Sequence, residues 1–165
     1  MFAIQSDLAK EIARALQATL SPEVTARIEA RPTENTEALE LYSRARYLIL
    51  SAGGMSQDEQ ARELLEQAVQ LDPGYARAWA AVGSLYRSLK AQGRIPVVEG
   101  QRLADQAITR ALELEPDLAS AHSARSFYLT DQLRYEEAEE ESLRALELNP
   151  GSSEEHRRYA RLLLQ

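Results

Sequence analysis

Small and apolar residues return along this chain at helical intervals, and the returns come in sets. Ala61, Leu65 and Ala68, then Ala104, Ile108 and Ala111, then Ala138, Ser142 and Ala145 are each spaced i, i+4, i+7. That spacing gathers them on one helix face, where alanines let a neighbouring helix come close. A second set alternates with the first, at i, i+3, i+4, i+7. Its copies are Leu41, Arg44, Ala45, Leu48, then Trp79, Val82, Gly83, Tyr86, then His122, Arg125, Ser126, Leu129. Between successive pairs stands one phrase written three times: Leu71-Asp72-Pro73-Gly74-Tyr75-Ala76, Leu114-Glu115-Pro116-Asp117-Leu118-Ala119 and Leu148-Asn149-Pro150-Gly151-Ser152-Ser153. Proline cannot continue a helix, so each phrase separates two helices. The pattern predicts helix pairs, with Thr36 capping the first.

Ahead of the pairs, Ile4, Leu8, Ile12, Ala15, Leu16, Thr19 and Leu20 form another stripe, so residues 2–20 are expected as one amphipathic helix. Ser21-Pro22 opens a short second helix through about Ala30, and Pro32 ends it. At the other end, His156, Tyr159, Ala160 and Leu163 repeat the spacing of a pair's first helix. They predict a capping helix over 153–165, with Glu154, Glu155, Arg157, Arg158 and Arg161 on its solvent side.

The paired stripes and the closing proline resemble the tetratricopeptide repeat, a unit of about 34 residues with a bulky residue, Leu, Gly and Tyr on helix A, Ala, Phe and Ala on helix B, then Pro. The resemblance implies an all-α protein, a right-handed α-solenoid of three such helix pairs with an N-terminal helical extension and a C-terminal capping helix. In that frame the extension is 1–35 and the repeats fill 36–152, in copies of about 38–75, 76–118 and 119–152. The middle copy exceeds the standard by about nine residues and the first by about four. Both insertions fall at the hairpin turn. Gly53-Gly54 and the capping box Ser56-x-x-Glu59 place the first turn, and Gly93 with Pro96 the second. Divided between two helices, the middle insertion predicts about one extra turn in each, with Ile95, Val97 and Val98 near the tip.

A narrower resemblance covers the start. Phe2-Ala3-Ile4-Gln5, Leu20-Ser21-Pro22-Glu23, Arg31-Pro32-Thr33-Glu34-Asn35 and Leu41-Tyr42 are similar to a junction in bacterial adenylate cyclase-type multidomain proteins, where a TolB-like domain meets a C-terminal repeat array. The resemblance implies that residues 2–20 correspond to the last helix of that upstream domain. Their apolar stripe must be covered, either on the first repeat or by its twin in a homodimer.

Composition narrows the chemistry. The 165 residues carry 26 acidic and 19 basic side chains, a net charge of -7 that opposes attraction to phosphate backbones, so no nucleic acid is expected as a partner. Cysteine is absent, which removes thiolate metal sites and cysteine nucleophiles. Residues 1–20 hold Asp7, Lys10, Glu11 and Arg14, which excludes a signal-peptide core or membrane segment there. The composition suits the cytoplasm, while the similar multidomain proteins leave the periplasm open. The glycines form no phosphate loop, and no Gly-x-Ser-x-Gly occurs. His122 and His156 share the repeat position of Trp79 and Leu41, so both are read as packing residues rather than metal ligands. The run Glu136, Glu137, Glu139, Glu140, Glu141 spreads over three faces of one helix and is read as a solvated convex face. No enzyme, cofactor or metal is expected.

In tetratricopeptide arrays helix A positions 2, 5, 9 and 12 line a concave groove. The resemblance carries these to Leu39, Tyr42, Arg46 and Ile49, to Arg77, Ala80, Ser84 and Arg87, and to Ser120, Ser123, Phe127 and Thr130. Guanidinium groups pair bidentately with carboxylates, so the expected partner is a protein or extended peptide with acidic and apolar side chains. The chaperone-tail carboxylate clamp of some family members needs Lys and Asn where this chain has Tyr42, Arg46, Ala81, Ser120 and Ala124. The alternative is an oligomerisation element that assembles copies of a larger signalling protein.

Overall fold

The computed structural model describes residues 32–51 and 55–163. The chain divides after Glu34, and Asn35–Gln165 is the body described below. The expected helices over 2–20 and 22–30, and Gly53-Gly54, lie outside the described residues. Among those residues there are seven helices and no strand: α1 Thr36–Leu50, α2 Met55–Leu71, α3 Ala76–Ala91, α4 Val97–Leu114, α5 Ala119–Thr130, α6 Tyr135–Leu148 and α7 Ser153–Leu162.

Each written phrase folds into the same turn. The amide of Tyr75 donates to the Asp72 carbonyl at 3.1 Å, that of Leu118 to Glu115 at 3.1 Å, and that of Ser152 to Asn149 at 3.1 Å. In the first, the Asp72 carboxylate also takes the Gly74 amide at 2.9 Å, a side-chain imitation of a backbone turn. The caps correct the expectation in two places. Asn35, not Thr36, caps α1: its backbone is extended and its side-chain oxygen accepts the Ala38 amide at 3.0 Å, while Thr36 is already helical. Ser56, read as a cap, lies inside α2, which starts at Met55.

The middle insertion behaves as its length predicts. α3 and α4 have 16 and 18 residues against 12 and 14 in α5 and α6, so each gains four, about one turn. The two hairpin turns make the same left-handed step, at Gly93 (φ 69°) and at Leu133 (φ 62°). A leucine there costs roughly 1–2 kcal/mol in backbone sterics.

Packing runs in sequence order. α1 lies on α2, α3 on α4 and α5 on α6; α2 then contacts α3, α4 contacts α5 and α6 contacts α7, while α3 touches α5 and α5 touches α7. Alanines are the commonest buried apolar residues, with Ala45, Ala61, Ala68, Ala78, Ala104, Ala111, Ala121 and Ala138 at zero exposure. Leu65, Leu89 and Ile108 are the bulky fillers, each stabilising by about 1.5–3 kcal/mol through burial. Within a pair the facing residues are matched in size. A Cβ on Gly83 would stand 2.5 Å from Ile108 Cγ1, whereas in the third pair the hydroxyls of Ser126 and Ser142, both buried, meet at 2.7 Å.

Candidate partner-binding groove

The odd-numbered helices carry the expected groove residues. On α1, Leu39, Tyr42 and Arg46 are half-buried and Ile49 is exposed; the Tyr42 ring meets the fully buried Tyr75 ring at 5.1 Å. On α3, Arg77 is exposed, Ala80 buried, and Ser84 and Arg87 half-buried. On α5, Ser123 and Thr130 are buried, while Ser120 and Phe127 are half-buried.

Phe127 organises one end. The Arg87 guanidinium lies 5.0 Å from its ring centre and the Arg161 guanidinium 4.9 Å from it, each attracted by the negative face of the ring. Arg87 also meets the Asp131 carboxylate at 3.3 Å, and Lys90 meets the same carboxylate at 2.8 Å. Ser123 donates to Glu155, which is only 7% exposed. The capping helix therefore does not keep all its charges in solvent as expected, because Glu155 is buried against α5, while Arg161 stays exposed with its guanidinium over the Phe127 ring. The signal for Arg161 was available: it stands 34 residues after Phe127, so one further step of the repeat frame places it on the groove line. Asp131 and Lys90 lie off those positions and carry no such signal.

Several arginines elsewhere on the array are answered by carboxylates. Arg62 holds Glu59 and Glu66, Arg94 holds Asp58 at 2.6 Å, Arg125 holds Asp105 at 2.9 Å, Arg134 holds Glu137, and Arg144 holds Asp117 at 2.7 Å. Arg46, Arg77 and Arg161 make no ion pair among the described residues. These three guanidinium groups stand at positions of the expected groove lines.

The histidines play another part than simple packing. Nε2 of His122 meets the Pro116 carbonyl at 2.8 Å and Nε2 of His156 the Pro150 carbonyl at 3.0 Å, as Nε1 of Trp79 donates to the Pro73 carbonyl at 3.0 Å. A ring nitrogen at this position ties each helix A to the turn before it. His122 Nδ1 adds Glu141 at 2.6 Å, and that carboxylate raises the histidine pKa above its usual value. The rest of the glutamate run, Glu136, Glu137, Glu139 and Glu140, is exposed as expected, with Glu139 taking the Tyr159 hydroxyl at 3.0 Å and Glu137 holding Arg134 at the surface.

Solved structures share this fold. The first TPR of Spaghetti (RPAP3) bound to the HSP90 peptide SRMEEVD superposes with a TM-score of 0.61 at 18% identity, over 80% of this chain and 97% of that one. The second TPR domain of human RPAP3 in complex with the HSP70 peptide SGPTIEEVD gives 0.56 at 17%, over 77% and 95%. The Sgt2 TPR domain from Aspergillus fumigatus gives 0.60 at 18%, over 81% of each. The fold is that of a tetratricopeptide repeat domain. No family model matches the chain. A stretch of 82 residues, half of this chain, is 34% identical to "Putative adenylate cyclase 3" of Rhizobium meliloti (strain 1021), consistent with the cyclase-type setting expected from the N-terminal junction. The stretch is 14% of that protein's length. Among the described residues no helix of this tetratricopeptide fold is long and apolar enough to cross a membrane, and no group of acidic or histidine side chains is arranged to hold a metal.

Proposed function

We propose that this tetratricopeptide array is a protein-interaction module that holds an extended acidic and apolar peptide along the lines of α1, α3, α5 and α7. The observation that carries this reading is the set of arginines left without carboxylates, Arg46, Arg77 and Arg161. Acidic residues outnumber basic ones in the chain, 26 to 19, so these cations are not unpaired for want of partners. A guanidinium without a carboxylate partner is a ready donor for an arriving anion. Tyr42 and Phe127 supply flat apolar surface beside them, and Ser84 a hydroxyl. Peptides ending in Glu-Glu-Val-Asp occupy two of the structural neighbours, which supports an acidic and apolar ligand class, although the lysine and asparagine positions of the chaperone clamp are replaced here. Arg87, already engaged by Asp131 and Phe127, supports the ring rather than reaching for ligand.

The test uses a fluorescein-labelled decapeptide of alternating glutamate and leucine, with its lysine and leucine counterpart as control. The full chain should bind the first and not the second, more weakly as salt rises. Arg46→Glu with Arg77→Glu should weaken binding at least tenfold, about 1.4 kcal/mol or more. Equal binding by parent and double variant would refute the groove.

A further inference from the structure

Successive helix pairs of one kind should cover the same positions, and the first pair departs from the other two. Counted from Ala38, Ala76 and Ala119, the sixth, seventh, tenth and eleventh residues of α3 and α5 include those that reach the preceding even helix. In α3 these include Val82 and Leu85, buried in one cluster with Leu65, Ala68 and Val69 of α2, and Tyr86, whose hydroxyl donates to Glu66 of α2. In α5 they include the buried Ala124 and Arg125, which reaches Asp105 of α4 at 2.9 Å and Thr109 at 2.7 Å. In α1 the same positions hold Ser43, Arg44, Tyr47 and Leu48. With Glu63 and Leu64 of α2 they line an open groove of about 610 Å³. Tyr47 is 72% exposed, and Arg44, the counterpart of Arg125, makes no ion pair among the described residues.

We propose that this groove docks an amphipathic helix of a partner protein, one that carries a carboxylate opposite Arg44 as α4 carries Asp105 opposite Arg125. The second and third pairs show what such a surface accepts: a helix laid alongside, with small apolar residues at the contact and a polar side chain at each guanidinium or phenol. Glu63 on the far wall disfavours a uniformly acidic helix, so the fitting one has its carboxylate on the Arg44 side alone. None of the four α1 residues stands on the concave lines, so this surface is independent of the peptide groove.

A fluorescein-labelled, end-blocked peptide with the α4 sequence Val97–Leu114 is the probe, titrated with the full 165-residue chain. Saturable binding is expected, weakened at least tenfold by Arg44→Glu with unchanged circular dichroism, and restored to within about threefold when the peptide carries Asp105→Arg. Tyr47→Ala should weaken it independently of charge. Absence of saturable binding, or binding indifferent to Arg44 and Tyr47, would overturn the proposal. So would a dimer of the chain alone that dissociates on Arg44→Glu, because the groove would then belong to a second copy.

Discussion

A single ring nitrogen recurs as a structural tie. Trp79, His122 and His156 each reach back six residues to a proline carbonyl, an acceptor that the proline turn leaves without an intrahelical donor. The shared repeat position was legible in the sequence. That the ring is a hydrogen-bond donor was not, because the carbonyl reaches that spot only after the turn has folded. His122 has acceptors at both nitrogens, the Pro116 carbonyl and the Glu141 carboxylate, so both must donate and the imidazolium is the fitted form. Its hydrogen bond to Glu141 outweighs burial and nearby Arg144 and holds the pKa above 6.5. A raised folded-state pKa means stability present below the unfolded value and lost as pH climbs through the folded one. Denaturant midpoints should therefore fall in the parent as pH rises above the ordinary histidine range, and the fall should shrink in His122→Gln. A slope unchanged by that substitution would remove His122 as its source.

At the scale of the helix pair, facing residues are chosen together. Gly83 leaves room for Ile108, which fills the space its Cβ would need, and the Ala104 carbonyl lies 3.2 Å from that same Cβ position. Gly83→Ala should accordingly destabilise by about 1–3 kcal/mol despite the better helix propensity of alanine. Combined with Ile108→Ala, whose own cost is about 2–5 kcal/mol, it should cost clearly less than the sum of the two. Urea unfolding of the four proteins in that cycle measures the coupling, and strict additivity would contradict the size match. Sequence spacing paired these positions on facing helices. It could not show that glycine and isoleucine meet closely in one pair while Ser126 and Ser142 bond in the next, since contact distances follow from how two helices settle on each other.

For the molecule as a whole, stability passes from neighbour to neighbour. α7 covers the third pair through Leu162 packed with Leu129 and Ala138, through Glu155 on Ser123 and through Arg161 on Phe127. Removing residues 153–165 strips that cover while leaving α1 and α2 untouched. Loss of Leu162 burial alone is worth about 1.5–3 kcal/mol, so amide exchange in α5 and α6 should quicken roughly tenfold to a hundredfold. α2 should change little. Equal acceleration in both regions would mean that the array unfolds as one unit instead.

The linear order of residues settled the helices of the described residues, their proline-punctuated turns and the extra turn in α3 and α4. These follow from 3.6-residue periodicity and local backbone limits, which act within a few residues. Which charges are satisfied was decided only by tertiary structure. Arg87 was consumed by Asp131 and Phe127, Arg161 was set over the Phe127 ring, and Arg44 was left open where Arg125 is closed. A side chain five or six bonds long chooses among carboxylates that lie far apart in sequence, and only the stacking of helices brings those carboxylates within reach.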